Sequence, residues 1–268
     1  MPVAASTTPT ASALSAAYAR LAETYPGPAV TEPGAGDADP GGDGWVPAAT
    51  LADGADGLDA FLAWDESQTL RDYGHRARPD VVASFGLHRY AWPACLLITV
   101  PWFLHRRVPR LPVTHVSYDR TADRMALRPV SFACLPGDPA AALSGAVVVP
   151  DDEALRAQVR AAVAEHPEPV LGAFGPRMRR RGRALWGMAT DELVEGLWYV
   201  AHLPRRGGAG RARSGAAAFR VLTGPDGEAL PTRGRASCCM FYTLRPQDTC
   251  PHTRDADRIA KPTAATAV

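Results

Sequence analysis

The sequence has little excess charge of either sign. Its 29 basic and 28 acidic side chains leave a formal net charge of +1 over 268 residues, so bulk charge gives no long-range attraction to nucleic acid. Hydrophobic residues make up 46% of the chain, which is too large a share for a chain that stays disordered. The composition predicts a globular protein with a sizeable core and no nucleic-acid partner.

A long hydrophobic run and an export signal are also missing. The first residues, MPVAASTTPTASALSAAYARL, have neither a basic start nor a continuous apolar stretch. The longest apolar run, Tyr90 to Leu104, is shorter than the ~20 residues of a membrane span and contains Pro93 and Pro101. We expect this run to be a core segment of a cytoplasmic protein that has no transmembrane segment.

The common nucleotide-binding and hydrolase motifs do not occur in the sequence. There is no P-loop, no Rossmann glycine pattern, no GxSxG elbow and no zinc-protease helix. An enzyme that uses a nucleotide directly is therefore disfavoured.

Glycine and proline, in contrast, are abundant, with 24 and 25 residues. Residues 1–54 are predicted to be a mostly flexible segment with one short helix in Ala11–Thr24. Residues 25–46 contain so many Gly, Pro and Asp residues that we predict an exposed loop without a regular element.

Residues 55–268 are predicted to form the folded domain. Apolar spacing predicts one or two helices within Asp56–Ala77, a core helix after Pro79 that is broken or kinked at Pro93, and a helix from Pro150 to Pro167. The segment RALWGMATDELVEGLWYVAHL predicts a largely buried helix. Alternating segments around Asp119–Asp123 predict a hairpin with a loop of about five residues. Further strands are predicted at Ala146–Val149 and Phe219–Leu222. The expected fold class is α+β, with helices flanking a small antiparallel sheet and a C-terminal cysteine loop.

Cysteine is scarce, yet three of the five cysteines stand in one short segment. ASCCMFYTLRPQDTCPHT places Cys238 beside Cys239, Cys250 after ten intervening residues, and His252 two positions later. Thiolates and imidazole suit iron–sulfur clusters, zinc or copper, whereas a disulfide framework is not expected in a reducing compartment. Neighbouring side chains of an extended segment point to opposite faces, so both members of the pair reach one cluster only where the backbone turns sharply. The simpler alternative is a set of buried apolar thiols or a vicinal disulfide.

This segment resembles the C-terminal signature of the FhuF-type ferric siderophore reductases. In that family a Cys-Cys pair, ten residues, a Cys, two residues and a last Cys hold a [2Fe-2S] cluster, and Cys238, Cys239 and Cys250 match the first three positions. RALWGMATDELVEGLW is similar to the family's Trp-containing helix, and RPDVVASFGLHRYAWP to its helical core. The resemblance implies a ferric-siderophore-reductase-like domain over 55–268, with a cluster-binding segment at 236–254.

The fourth family position departs from the pattern, because it falls on Thr253. His252 is the first choice to complete the ligand set, since imidazole replaces thiolate in Rieske centres. The predicted ligands are therefore Cys238, Cys239, Cys250 and His252. Other candidates for the fourth position are Cys95, Cys134, Asp248 and Asp255, and an unused tail histidine remains open.

The resemblance implies an oxidoreductase that gives one electron to a ferric siderophore, expected to be of the hydroxamate type, and so releases iron(II). The implied partners are the ferric siderophore and an electron donor such as a ferredoxin. The basic run Arg177–Arg183 is either a solvated surface or a site that attracts an acidic partner or an anionic ferric complex. Two alternatives stay open: a cluster-less protein that binds a siderophore or assists its biosynthesis, and a zinc-stabilised interaction module.

Overall fold

The computed structural model describes residues 12–24, 29–33, 41–42, 44–201, 221–223, 229–233, 237–238, 240 and 243–244. The chain divides into two compact units whose segments alternate along the sequence. The first unit consists of Met1–Ala48 and Leu96–His166, and the second of Ala49–Cys95 and Pro167–Val268. Whether 55–268 acts as one domain stays a prediction.

The α+β class predicted from the sequence is confirmed, with helix as the larger part. The helices are α1 Ser15–Thr24, α2 Ala48–Ala52, α3 Ala55–Tyr73, α4 Pro79–His105, α5 Asp152–Glu165, α6 Pro167–Met178 and α7 Gly182–Ala201. The strands are β1 Ala29–Thr31, β2 Trp45–Pro47, β3 Val108–Arg110, β4 Val116–Asp119, β5 Arg124–Leu127, β6 Ser131–Cys134, β7 Ala146–Val148, β8 Val221–Thr223 and β9 Ala229–Arg233.

The strands of the first unit form two small sheets. One has the order β1-β5-β4-β2 and the other β3-β6-β7. Most neighbours are antiparallel, as predicted, but β1 pairs with β5 and β6 with β7 in parallel. The predicted hairpin is β4 and β5, with Asp119 opposite Arg124. The carboxylate of Asp119 accepts hydrogen bonds from the Thr121 and Ala122 backbone and from Arg124, which fixes the turn.

Two predictions about the chain's course were wrong. The segment 25–46 is not free of regular structure, because β1 and the start of β2 lie in it and pair with β5 and β4. These strands are only three residues long, and such strands are specified by distant partners rather than by their own composition. The break predicted at Pro93 is wrong as well, since α4 runs from Pro79 to His105 as one helix, while the alternative of a kink at Pro93 stays a prediction.

Helix α4 is long and apolar enough to cross a membrane, but 78% of its most apolar window is buried against the rest of the protein. Such burial is typical of a core helix, which is what the sequence predicts for this segment. Its first half belongs to the second unit, where Val81 and Leu87 are buried.

Helices α3, α6, α7 and the first half of α4 build the core of the second unit. The rings of Phe61 and Phe174 meet edge to face, with their centroids 6.3 Å apart. Asp65 of α3 is fully buried, and its Oδ1 lies 2.6 Å from the guanidinium of Arg89 on α4. A buried carboxylate needs such a partner, so this pair fixes α3 against α4.

A buried histidine makes the stability of the first unit depend on pH. His166 is 2% exposed, and its Nδ1–H donates to the carbonyl of Leu111 over 2.6 Å. Burial is the main cause that lowers its pKa from 6.5 to about 4. Between these pH values the unfolded chain binds the proton more tightly than the folded chain does.

We therefore expect the free energy of unfolding to fall as the pH drops from 6.5 towards 4, by up to about 1.4 kcal/mol per pH unit. The His166→Gln protein should lose this part of the pH dependence, although its stability at neutral pH is lower. Urea denaturation of both proteins at several pH values measures the difference. If the free energy of unfolding depended on pH in the same way in both proteins, His166 would not be the group responsible.

Candidate functional site

The described start of the cysteine segment is attached to helix α7. Asp191 lies near the middle of α7 and is 3% exposed. Its Oδ2 accepts two hydrogen bonds from Ser237, one from the backbone N–H at 2.8 Å and one from the hydroxyl at 2.6 Å. A carboxylate that accepts two buried donors is a strong anchor, so α7 fixes the residue directly before the cysteine pair.

Cys238 packs against the first turns of α4. Val81, Met240 and Leu244 form a buried apolar cluster, and the half-buried Cys238 lies against it. Phe85 packs against the same cluster. The side chain of Cys238 is therefore partly shielded from bulk water by this cluster.

The backbone turns directly after the cysteine pair. Met240 has φ 62°, in the left-handed region that residues other than glycine seldom adopt. Its N–H donates to Sγ of Cys238 at 3.4 Å, and its carbonyl accepts from the N–H of Thr243 at 3.0 Å. The backbone therefore changes direction at Met240, and N–H donors to sulfur tune iron–sulfur centres.

A second contact joins the two helices that hold this segment. Glu192, next to Asp191 on α7, is 1% exposed, and its Oε1 lies 2.8 Å from Nδ1 of the half-exposed His88 on α4. The segment that carries Cys238 is thus supported by residues of both α4 and α7, and a shift of either helix would disturb these contacts.

Of the four predicted ligands, the structure describes Cys238. Cys239, Cys250 and His252 lie outside the described residues, as do the reserve candidates Asp248 and Asp255. Within the described ranges no three His, Cys, Asp or Glu side chains come together as a metal site. The ligand set therefore stays a prediction.

The two other reserve candidates, Cys95 and Cys134, are buried cysteines. Burial raises the pKa of the Cys95 thiol to about 12, with a smaller contribution from Glu192. Burial likewise raises the pKa of Cys134. Because the thiolate is the form that binds metal, both are poor ligands and behave as core residues.

The comparison with known families bears on the same segment. Residues 235–252 match the FhuF 2Fe-2S C-terminal domain. The matched range contains Cys238, Cys239, Cys250 and His252, so the resemblance seen in the sequence is confirmed for this short part of the chain. The domain's description names a 2Fe-2S centre, and the match covers 18 of the chain's 268 residues. No curated protein matches the chain.

The donor set of the FhuF-like segment fits a [2Fe-2S] cluster. It offers three thiols and one imidazole within 15 residues of sequence, Cys238 to His252, and both donor types bind such clusters. The half-buried thiol of Cys238 and the N–H···S bond from Met240 are consistent with that use.

Sequence reasoning missed Asp191 as part of the site. The available signal was the adjacent acidic residues Asp191 and Glu192 in a helix whose other residues are mostly apolar, because a buried carboxylate needs hydrogen-bond donors. The identity of those donors, in Ser237, could not be found from spacing.

Proposed function

We propose that this protein is a one-electron reductase of ferric siderophores that uses a C-terminal [2Fe-2S] cluster. The observation that carries the proposal is the match of residues 235–252 to the FhuF 2Fe-2S C-terminal domain. The contacts of Cys238 with Val81 of α4, and of the preceding Ser237 with Asp191 of α7, support the proposal. The proposed extent of the reductase-like domain is 55–268.

The proposed ligands are Cys238, Cys239, Cys250 and His252. The described residues contribute to holding the first of them in place: Asp191 through Ser237, and Val81 and Met240 through apolar contact. When bound, the cluster would supply a one-electron reductant for ferric iron. A neutral imidazole in place of a thiolate makes the ligand set less negative and so raises the reduction potential.

The proposed substrate is a ferric siderophore, expected to be a hydroxamate. Iron(II) is less charged than iron(III) and is held weakly by hard oxygen ligands, so reduction of the chelated iron releases it. We further propose a cytoplasmic location and an acidic electron donor such as a ferredoxin.

The substitution at Thr253 favours a second candidate, a protein that kept the fold but lost the cluster and binds a siderophore or assists its biosynthesis. A zinc-stabilised module with the same four ligands is a third candidate. Directly adjacent zinc thiolates depart from the usual ligand spacing. Iron, zinc and acid-labile sulfide analysis of anaerobically purified protein separates the three, which predict iron with sulfide, no metal, and zinc.

The role of His252 gives a specific prediction. The His252→Cys protein should keep its visible absorption, and its reduction potential should be lower by on the order of 100 mV, because thiolate stabilises the oxidised cluster better than imidazole does. A redox titration followed by absorption measures the change. His75→Cys, which alters an exposed histidine after α3, is the control. An unchanged potential in His252→Cys would remove His252 from the ligand set.

A further inference from the structure

A basic groove lies where α6 ends and α7 begins. Its volume is about 500 Å³. Leu171, Leu185 and Trp186 supply an apolar floor, and Arg179, Arg180 and Arg181 supply the charge. Glu168 is the one acidic residue in its lining. The groove therefore combines a strong positive charge with an aromatic and aliphatic surface.

The charge of this groove is not neutralised within the described part of the chain. Arg177, just before it, pairs with Asp59 at 2.5 Å, but none of Arg179, Arg180 and Arg181 has a described acidic side chain within ion-pair distance. Arg179 and Arg181 are exposed, and Arg180 is half-buried. Three neighbouring cations that have no ion-pair partner among the described residues repel one another, and this arrangement costs free energy that a complementary anionic partner would offset.

The same helix carries this groove at one end and the anchor of the cysteine segment in its middle. Gly182 begins α7, and Asp191, which holds Ser237, follows nine residues later. At 1.5 Å per helical residue the two positions are about 14 Å apart along the axis. The groove and the residue that anchors Ser237 therefore belong to the same helix.

We propose that this groove is the docking surface for an acidic protein that delivers the electron, an inference that rests on the proposed reductase function. Arginine and tryptophan around an apolar centre are the composition of an interface core. A small anion is the less suitable occupant, because the exposed arginines stand on an open rim rather than around an enclosed cavity. Opposite charge would speed the encounter and set the orientation of the carrier.

The test measures binding of an oxidised, acidic plant-type [2Fe-2S] ferredoxin to the full-length protein by calorimetry at low and high salt. The Arg180→Glu/Arg181→Glu protein should bind about tenfold more weakly or worse at low salt, and the wild-type affinity should fall as salt screens the charges. Arg156→Glu/Arg160→Glu on α5 changes the net charge equally at exposed arginines outside the groove and should keep the wild-type affinity.

Three results would overturn the proposal. The first is no binding by the wild-type protein, and the second is an equal loss of affinity in both double variants. The third is that pyrophosphate displaces the ferredoxin whereas sodium chloride at the same ionic strength does not. The last result would assign the groove to a small anion. Binding does not require the cluster, so a protein that binds ferredoxin through these arginines but contains no iron would keep the docking surface and refute the reductase function. Conversely, an iron–sulfur protein that fails to bind would refute only the docking surface.

Discussion

The Cys238→Ala protein is expected to purify almost colourless, with its iron and sulfide content reduced at least about tenfold, because the loss of one ligand weakens a cluster more than the loss of an outer-shell partner does. Cys238 is half-buried against Val81 and Met240, so the alanine fits the same apolar contact and the fold should persist. Far-UV circular dichroism together with iron and sulfide analysis measures the two effects separately.

The control for this prediction is another cysteine. Cys134 is a buried free thiol in β6, and Cys134→Ala should retain the full iron content at a modest cost in stability. If Cys238→Ala kept its iron, or if Cys134→Ala lost it to the same extent, the proposed ligand set would be wrong.

The second large effect is expected at Asp191, which is distant in sequence from the cysteines. In Asp191→Ala the buried N–H and hydroxyl of Ser237 lose their acceptor, and a buried donor left without a partner costs roughly 1–3 kcal/mol. Because the anchor precedes Cys238 directly, we expect the protein to release its iron about tenfold faster or more, as when an outer-shell partner is removed. The rate of absorption loss in the presence of a chelator measures this.

Two further variants at this anchor make the prediction sharper. Ser237→Ala keeps the backbone N–H bond to Asp191 and should show a clearly smaller effect than Asp191→Ala. Thr190→Ala, an exposed neighbour on α7, should behave like the wild-type protein. An Asp191→Ala protein that holds iron as long as the Thr190→Ala control does would show that the anchor has no part in the site.

Local signals predicted the elements of the chain that depend on local interactions. The helix after Pro150 is α5, where the Asp151 side chain accepts a hydrogen bond from the N–H of Ala154 at 2.8 Å. The hairpin of β4 and β5 also follows from alternation and turn residues. Both elements satisfy their backbone groups within a few residues of sequence.

Elements with competing or distant determinants were missed. The stop predicted at Pro167 is confirmed, because α5 ends at Glu165, but α6, which begins at Pro167, was not predicted, since proline suits the first turn of a helix as well as the position after one. Within α6, Gly172, Gly175 and Pro176 conceal the helical pattern. The strands β1 and β2 depend on pairing with β5 and β4, which spacing along the chain does not reveal.

In the candidate site, too, local features are predictable from the sequence and tertiary contacts are not. The cysteine pattern is local, so the sequence alone identified Cys238 and the resemblance that the family comparison confirmed. The residues that support Cys238 and its neighbour Ser237 are Val81 and Asp191. They are distant in sequence and come together only in the folded structure. The side chains that position a site are predictable from sequence mainly as anomalies, such as acidic residues among the mostly apolar residues of α7.

The central claim is that thiolates of the FhuF-like segment hold a redox-active cluster. Electron paramagnetic resonance of protein isolated without oxygen and then reduced with dithionite tests it most directly. If these thiolates hold the cluster, the reduced protein should give the spectrum of a one-electron-reduced [2Fe-2S] centre that integrates to about one spin per chain and disappears on reoxidation. A protein without iron or sulfide that gives no such signal before or after reduction would contradict it.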